Sequence, residues 1–313
     1  MRKSSENISH KKEDPMKQPN DTETAFDLND PFLTGSRRPD LNDIRYVEEL
    51  SLNAWPSAKV ELYDGWLIRF SHNYTYRTNA VEQVGPSSLP IPEKVAYCES
   101  VYRDYHTPCH FKISPLIDSD FDRFLAAKGY EKRHITEVMT MDLENAHLVT
   151  PLEKEYEFDN RMGLPSCIHY PDGVDVRLQS CITDDWIRGV FHLNGTCEEV
   201  LLKTVPSMFK AIPKRTVVAC VEIDGRIVAT GLGICDREYI GLYAIYVSAS
   251  CRRRHYARCI CSAILSEGAG LGAQRSYLQV VQGNARARGL YLSLGFRDDY
   301  TYWFRSLRDR PHA

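Results

Sequence analysis

The chain has 313 residues, of which 43% are hydrophobic and 26% are charged, and its formal net charge is −3. These values are typical of a globular protein with a buried core, and the length allows one large or two ordinary domains. The apolar runs are too short for a transmembrane helix, and the polar start does not resemble a signal peptide, so we expect no membrane partner. The 10 cysteines are scattered without zinc-ligand spacing, so we expect no metal and a reducing, cytoplasmic location.

Positive charge is concentrated near the C-terminus. Residues 251–313 contain 11 Arg, no Lys and 4 acidic residues, so this segment carries +7 and the remainder carries −10. A compact Arg-rich segment in an acidic chain indicates a local anionic ligand rather than a polyanion. We therefore expect no nucleic-acid partner.

The N-terminal half is predicted to contain a tail and one α/β domain. Residues 1–45 are polar and predict a disordered tail. Residues 46–145 predict a domain that begins with an amphipathic helix and a hairpin turning at Asp64-Gly65. A strand (TYRTNAV), a helix, a strand (HFKIS), a helix closed by Gly129 and a strand (TEVMTMDL) follow.

The C-terminal half is predicted to be a second α/β unit. Residues 146–173 are turn-rich and predict a linker, and residues 174–310 form the predicted domain. Its elements are a strand (VDVRLQS), a helix capped near Asp184, a helix interrupted near Pro206, a hairpin turning at Asp224-Gly225, and a strand ending at Val247. A helix, a strand, a helix and a last strand complete it.

A weak internal repeat relates the two halves. ELYDGWLIRF is similar to VEIDGRIVAT, and FLAAKGYEK is similar to YLSLGFRDD. We interpret this as a tandem of two related α/β units. Chance recurrence of hairpin and helix-stop signals is the alternative.

The most informative stretch is IYVSASCRRRHYARCICSAIL. A strand ends at Val247, and a loop rich in arginine leads directly into a helix. The start of a helix exposes unpaired backbone N–H groups and the positive end of the helix dipole, which together suit a pyrophosphate. Taken alone, an ordinary solvated basic helix start explains the pattern better.

The order of the motifs resembles the GNAT acetyltransferase superfamily. The family's loop pattern, Gln/Arg-x-x-Gly-x-Gly/Ala, is matched by RRRHYA, and its second signature by Asn284, Ala287, Tyr291 and Gly295-Phe296. The resemblance covers roughly residues 174–308 and implies a mixed, mainly antiparallel sheet flanked by helices. One departure is His255, which stands where the family has the first loop glycine.

The resemblance implies acetyl-coenzyme A as co-substrate. Its pantetheine arm would bind the backbone of Tyr246 and Val247 between diverging strands, and Asn284 would contact the same arm. The pyrophosphate would be held by the loop and the helix start, that is by Arg253, Arg254, His255, Tyr256, Ala257 and Arg258. Without the usual glycine, the imidazole of His255 either crowds a phosphate or contacts it.

Tyr291 is the expected catalytic residue. The resemblance implies that its phenol protonates the leaving thiolate; a core aromatic on the same helix is the alternative. The general base stays unassigned, because Ala244 occupies the strand position where many relatives have an acid. Glu222 and Glu238 are carboxylates of neighbouring strands, and deprotonation through water is the alternative.

The N-terminal unit lacks an arginine loop, so it has no evident phosphate cradle. We expect it to shape the acceptor pocket or a subunit contact in a homo-oligomer, with Trp55, Trp66, Tyr74 and Tyr76 as candidate pocket residues. For any one of them, an ordinary core or surface position is the more common explanation.

The predicted function is therefore N-acetyl transfer from acetyl-coenzyme A to a small-molecule or peptide amine by direct attack in a ternary complex. A non-catalytic protein that binds coenzyme A or a partner through a degenerate fold is the first alternative. A nucleic-acid binder is the second, and the acidic remainder of the chain argues against it.

Overall fold

The computed structural model describes residues 40–156 and 164–307. The helices in these ranges are α1 (Leu41–Ala54), α2 (Ile91–Asp104), α3 (Ser119–Ala127), α4 (Asp184–Asn194), α5 (Glu199–Lys210), α6 (Tyr256–Gly270) and α7 (Ala285–Leu294). The strands are β1 (Lys59–Tyr63), β2 (Trp66–Phe70), β3 (Val81–Gln83), β4 (His110–Ile113), β5 (Tyr130–Asp142), β6 (Glu153–Tyr156), β7 (Pro165–Tyr170), β8 (Val174–Gln179), β9 (Arg215–Ile223), β10 (Arg226–Asp236), β11 (Tyr239–Val247), β12 (Arg275–Val281) and β13 (Arg297–Leu307).

These strands form one continuous sheet. Its order is β1-β2-β3-β4-β13-β5-β12-β11-β10-β9-β8-β7-β6. The neighbours are antiparallel except for β3–β4 and β11–β12, which are parallel. Each parallel pair is joined by a crossover helix, α2 or α6, as parallel strands require. The predicted α/β fold with a mixed, mainly antiparallel sheet is confirmed.

The two predicted hairpins are present. Asp64 and Gly65 adopt φ angles of 41° and 78°, and Asp224 and Gly225 adopt 50° and 72°. Two consecutive residues with positive φ make the tight turn whose twist matches paired strands. At Gly65 a Cβ would stand 2.3 Å from the carbonyl oxygen of Pro86, so only glycine fits there.

The two halves repeat the same order of elements and exchange a strand. After its hairpin, each half runs strand, helix, strand, helix and a long strand, which is β5 in the first half and β13 in the second. Gly129 and Gly295, with φ angles of 89° and 106°, end the last helix of each half. β13 lies between β4 and β5, and β5 lies between β13 and β12, so each half completes the sheet of the other.

This repetition agrees with the predicted tandem of related units. The exchange means that the sheet has no break between the halves. The division into an N-terminal domain at 46–145 and a C-terminal domain at 174–310 stays a prediction.

Some predicted boundaries are wrong. Residues 41–45, assigned to the tail, belong to α1, which begins at Leu41 after the cap Asp40 and buries Ile44 and Val47. These apolar residues lie on the same buried face as the later apolar residues of α1. The polar residues between them hid this pattern in the sequence. The tail predicted for residues 1–39 lies outside the described residues.

The predicted linker at 146–173 is also wrong in part, since it contains β6 and β7, which extend the sheet beyond β8. The stretch TYRTNAV forms a short 3-10 turn (Tyr76–Thr78) before the brief β3, rather than one strand. Thr183 caps α4 by accepting the N–H of Trp186, and α5 continues through Pro206 to Lys210.

Helices cover both faces of the sheet in the C-terminal half. On β9, Val217, Ala219 and Val221 pack into the core under α6, whereas Val218 and Cys220 pack into the core under α1, α4 and α5. This alternation follows from the two-residue period of a strand. A third core lies between α2, α3 and the N-terminal strands.

Candidate functional site

The parallel strands β11 and β12 separate along their length. They pair from Tyr239 opposite Arg275 to Leu242 opposite Leu278. Beyond these positions the two strands continue to Val247 and Val281 without pairing with each other. Ala244, with a φ of 48°, lies at a register shift between β10 and β11. Such a bulge bends the strand that contains it. The result is an opening between two strands of the sheet, as the sequence predicted.

A cleft of ≈ 700 Å³ opens at this divergence. Its lining comes from β11, β12, α7, the α4–α5 connection and the N-terminal half. Among the predicted site residues, the cleft brings together Tyr246, Asn284 and Tyr291. Val247 and the residues from Arg253 to Arg258 lie outside it.

The helix α6 begins beyond the end of β11, after the arginine loop (252–255). Arg253 and His255 both adopt left-handed backbone conformations, with φ angles of 61° and 60°. The helix's first backbone hydrogen bond runs from the N–H of Cys259 to the carbonyl of His255. The N–H groups of residues 256–258 precede it and point toward the loop, as at any helix start, where an anion can accept them.

The left-handed conformation of His255 explains why the family has glycine at this position. Glycine adopts positive φ without a steric cost, whereas an L residue with a Cβ pays for it. Histidine is among the residues found there more often than most. Histidine at this position is therefore compatible with a left-handed backbone that glycine also adopts.

The predicted phosphate contacts differ in their surroundings. The side chains of Arg253, Arg254 and His255 are exposed, and those of Tyr256 and Ala257 are half-buried. Arg258 is engaged within the protein. Its guanidinium donates to the hydroxyl of Ser293 at 2.7 Å and to the carbonyl of His147 at 3.1 Å. Arg258 thus links the start of α6 to the end of α7. If it also binds an anion, its guanidinium must serve both contacts.

Tyr291 is buried with its ring edge-on to Phe296, at a centroid distance of 6.0 Å. Burial raises the pKa of its phenol well above the ordinary value, and the neighbouring Cys261 and Tyr246 add to the shift. Tyr291 therefore keeps its proton at physiological pH and offers a donor to the cleft. Its place in the core and its place at the cleft are compatible, so the two interpretations of this residue do not exclude each other.

Asn284 has a structural duty as well. It is the N-cap of α7, and its side-chain oxygen accepts the N–H of Ala287 at 3.3 Å. Its amide nitrogen is left for other contacts. The roles of Tyr291, Asn284 and the loop residues toward a co-substrate stay predictions.

Neither carboxylate considered as a base reaches the cleft. Glu222 forms an ion pair with Arg177 at 3.0 Å, and Glu238 accepts the hydroxyl of Tyr46 at 2.6 Å. Among the described residues, the carboxylate that lines the cleft is Glu198, the exposed N-cap residue of α5. The sequence did not identify it as a candidate base.

The N-terminal half supplies one wall of the cleft. Trp55 stacks on Tyr243 with a centroid distance of 5.5 Å and an interplanar angle of 7°, and Tyr74 and Arg77 lie beside it. Two of the four aromatic residues predicted for a pocket, Trp55 and Tyr74, are therefore in place.

The other two predicted pocket aromatics lie elsewhere. Trp66 is buried in the N-terminal core against Phe111 and Phe121, and Tyr76 stacks on His110 and His134. Arg77 was not singled out in the sequence, because only the fold brings it next to β12.

Neither a metal site nor a membrane-spanning helix is found in the described residues. Within 40–156 and 164–307, no three His, Cys, Asp or Glu side chains are grouped as a metal site would require. Over the same ranges no helix is long and apolar enough to cross a bilayer.

Family models match both halves of the chain. Residues 187–296 match the acetyltransferase (GNAT) family, and residues 41–162 match the family described as probable histone acetyltransferase Rv0428c C-terminal. A curated relative, the uncharacterized N-acetyltransferase YobR of Bacillus subtilis, is 23% identical over 264 residues, which cover 82% of this chain and 95% of that protein.

Solved structures share the fold. A GCN5-related N-acetyltransferase from Kribbella flavida matches with a TM-score of 0.58 at 14% identity and covers 86% of this chain and 95% of its own. A tandem GNAT protein from the clavulanic acid biosynthesis pathway matches with a TM-score of 0.54 at 12% identity, covering 75% of this chain and 76% of that one. The predicted resemblance is confirmed: residues 187–296 form a GNAT-family domain, and the fold extends over both halves.

Proposed function

Because residues 187–296 form a GNAT-family domain, we propose that the protein transfers an acetyl group from acetyl-coenzyme A to an amine within a ternary complex. One observation carries this proposal. The ends of β11 and β12 diverge at a cleft that Tyr291 lines, and the chain passes from the end of β11 through the arginine loop into the start of α6.

The opening fits the chemistry of the coenzyme. From Tyr243 to Val247 the edge of β11 that faces β12 has no strand partner, so its backbone groups are available to the amides of a pantetheine arm. The free N–H groups at the start of α6 suit the pyrophosphate, and the exposed Arg253 and Arg254 add positive charge. Acetyl-coenzyme A is accordingly the proposed co-substrate, and no metal takes part.

The reaction needs one bond exchange, in which a carbon–nitrogen bond replaces the carbon–sulfur bond, and the loss of one proton from the amine. The neutral amine nitrogen attacks the thioester carbonyl carbon, the carbon–sulfur bond breaks, and the sulfur leaves with the bonding electrons. Tyr291 donates a hydrogen bond to the departing thiolate. The amine proton passes to water, since Glu198, the carboxylate among the described residues that line the cleft, is exposed to solvent.

Titration calorimetry of the full chain with acetyl-coenzyme A, followed by acetylation of an amine panel, tests the proposal. We expect saturable binding and release of free thiol that depends on an added amine. Absence of binding at millimolar ligand would overturn it.

A non-catalytic coenzyme binder is the second candidate. The alanine at position 244, in place of a strand acid, favours it. Tight binding without thiol release across the whole panel would select this candidate. A cytoplasmic location and a homo-oligomeric state remain part of the proposal rather than findings.

A further inference from the structure

Arg77 is the cation of the cleft that the proposed acetyl transfer does not use. It lies in the 3-10 turn before β3, in the N-terminal half, and it lines the cleft together with Trp55, Tyr74 and Tyr243. Of the residues that line this cleft, Arg77 and Glu198 alone carry a formal charge. Arg77 is half-buried.

The guanidinium of Arg77 is held in place from one side. One terminal nitrogen donates to the side-chain oxygen of Gln279 at 2.9 Å. Gln279 is itself fixed, because its amide donates to Ser51 at 2.7 Å and its oxygen also accepts the hydroxyl of Tyr302 at 2.8 Å. This chain of contacts across three elements orients the guanidinium before any ligand arrives.

No carboxylate of the described ranges pairs with Arg77. Two other half-buried arginines have acidic partners, Arg288 with Glu137 at 3.0 Å and Arg305 with Asp122 at 2.6 Å. The half-buried Arg258, at the start of α6, instead donates to neutral groups. A partly desolvated guanidinium whose protein partner is a neutral amide retains donors and charge for an anion. Its planar fork matches a carboxylate with two parallel hydrogen bonds.

From this geometry we propose that the acetyl acceptor is a small amine that also carries a carboxylate, such as a free amino acid, and that Arg77 binds this carboxylate. The inference rests on the proposed acetyl transfer and adds the substrate class to it. The stacked pair Trp55 and Tyr243, with Tyr74 nearby, forms the apolar wall that would receive the rest of the acceptor.

The test compares amines that differ only in the carboxylate. The 20 common amino acids and the corresponding amino acid amides are offered to the full chain with saturating acetyl-coenzyme A, and thiol release gives kcat/KM. A hydrogen-bonded charge pair predicts a preference of about 10- to 150-fold for the acid over its amide. Aminophosphonates of matched size show whether a phosphonate replaces the carboxylate.

Substitutions at Arg77 separate recognition from folding. In Arg77→Gln, kcat/KM for the amino acid should fall by about 10- to 150-fold and equal that for its amide. The kcat/KM for the amide itself should change little. Arg77→Lys keeps the positive charge but loses the planar guanidinium. Its preference for the acid over the amide should lie between that of the unmodified protein and that of Arg77→Gln. Arg123→Gln, at an exposed position of α3, is the matched control and should leave the preference unchanged. Thermal melting and acetyl-coenzyme A binding are measured for each variant to establish that it is folded.

The outcomes distinguish this inference from the proposed function. If acetyl-coenzyme A does not bind, the proposed function fails. If it binds and amines are acetylated with equal rates for acids and amides, or if only aminophosphonates react, the inference fails alone. Coenzyme binding without acetylation of any amino acid overturns it as well.

Discussion

Replacing Tyr291 with phenylalanine removes one hydroxyl from the cleft and leaves the ring in the core. The ring packs against Phe296 and belongs to the core under α6, so Phe keeps these contacts. We expect turnover to fall while binding of acetyl-coenzyme A stays within about twofold, because the hydroxyl interacts with the sulfur only as negative charge develops on it.

The magnitude follows from the pKa of the phenol. Burial raises it above its ordinary value of 10.0, whereas a thiol titrates near about 8.5. Complete proton transfer to the thiolate is therefore uphill by more than about 2 kcal/mol, and the hydroxyl acts chiefly as a hydrogen-bond donor. A hydrogen bond to a charged group contributes about 1.5–3 kcal/mol, which corresponds to a loss of about 10- to 150-fold in kcat.

The assay is thiol release at saturating amine and acetyl-coenzyme A, with coenzyme affinity measured separately by calorimetry. Tyr170→Phe is the matched control, because Tyr170 lies in the same core and is buried, but does not line the cleft. It should retain full kcat. The free energies of unfolding of the two variants should differ by less than about 0.5 kcal/mol.

A Tyr291→Phe variant with undiminished kcat would refute the donor role and leave the tyrosine as a core residue. An equal loss of kcat in Tyr170→Phe would also refute the donor role, because the loss would then come from a disturbed core. Since the pKa of Tyr291 is raised, its titration should not limit the rate of the unmodified protein below about pH 10.

Three further predictions concern the loop, a buried ion network and the strand exchange. His255→Gly should keep coenzyme affinity within about threefold because glycine adopts the observed φ of 60°, whereas His255→Val should lower affinity and cost about 1–3 kcal/mol of stability; calorimetry and melting compare them. Burial alone would raise the pKa of Glu82, but Lys112 and Arg69 lower it overall. Its stabilising effect is thus present above the unfolded pKa of about 4.3 and lost as pH falls through the folded value. Glu82→Gln should destabilise the protein by roughly 3–5 kcal/mol at neutral pH in urea unfolding, with a difference that shrinks below about pH 4; a constant difference would contradict this. A fragment of residues 164–313 should not fold alone, because β12 and β13 both pair with β5; a cooperative melt of that fragment would show otherwise.

The sequence predicted the elements whose signals are local. The two Asp-Gly turns, the glycine stops at Gly129 and Gly295, and the long periodic helix α6 need only neighbouring residues to be recognised. The expectation of an anion site at the start of α6 rests on the same kind of pattern and stays a prediction. The left-handed conformation of His255 was not predicted, since most histidines adopt negative φ even though the residue is enriched at positive φ.

What the sequence could not predict depends on distant pairing. The segments of β6 and β7 are short and bordered by turn residues. They become strands only because β8 offers an edge to β7, and β7 in turn offers one to β6. The exchange of β5 and β13 joins positions far apart in the chain. For the same reason Arg77 escaped notice, since its contact with Gln279 spans a sequence separation of 202 residues.

The position of β13 also determines when the sheet can be completed during synthesis. The slot between β4 and β5 stays open until residues 297–307 have left the ribosome, although most of the chain is already outside. Until then the edges of two strands expose unpaired backbone groups, a condition that favours association with other nascent chains. Closure of the slot joins segments more than 150 residues apart, so it is expected to be a slow step, and one for which chaperone assistance during translation would matter most.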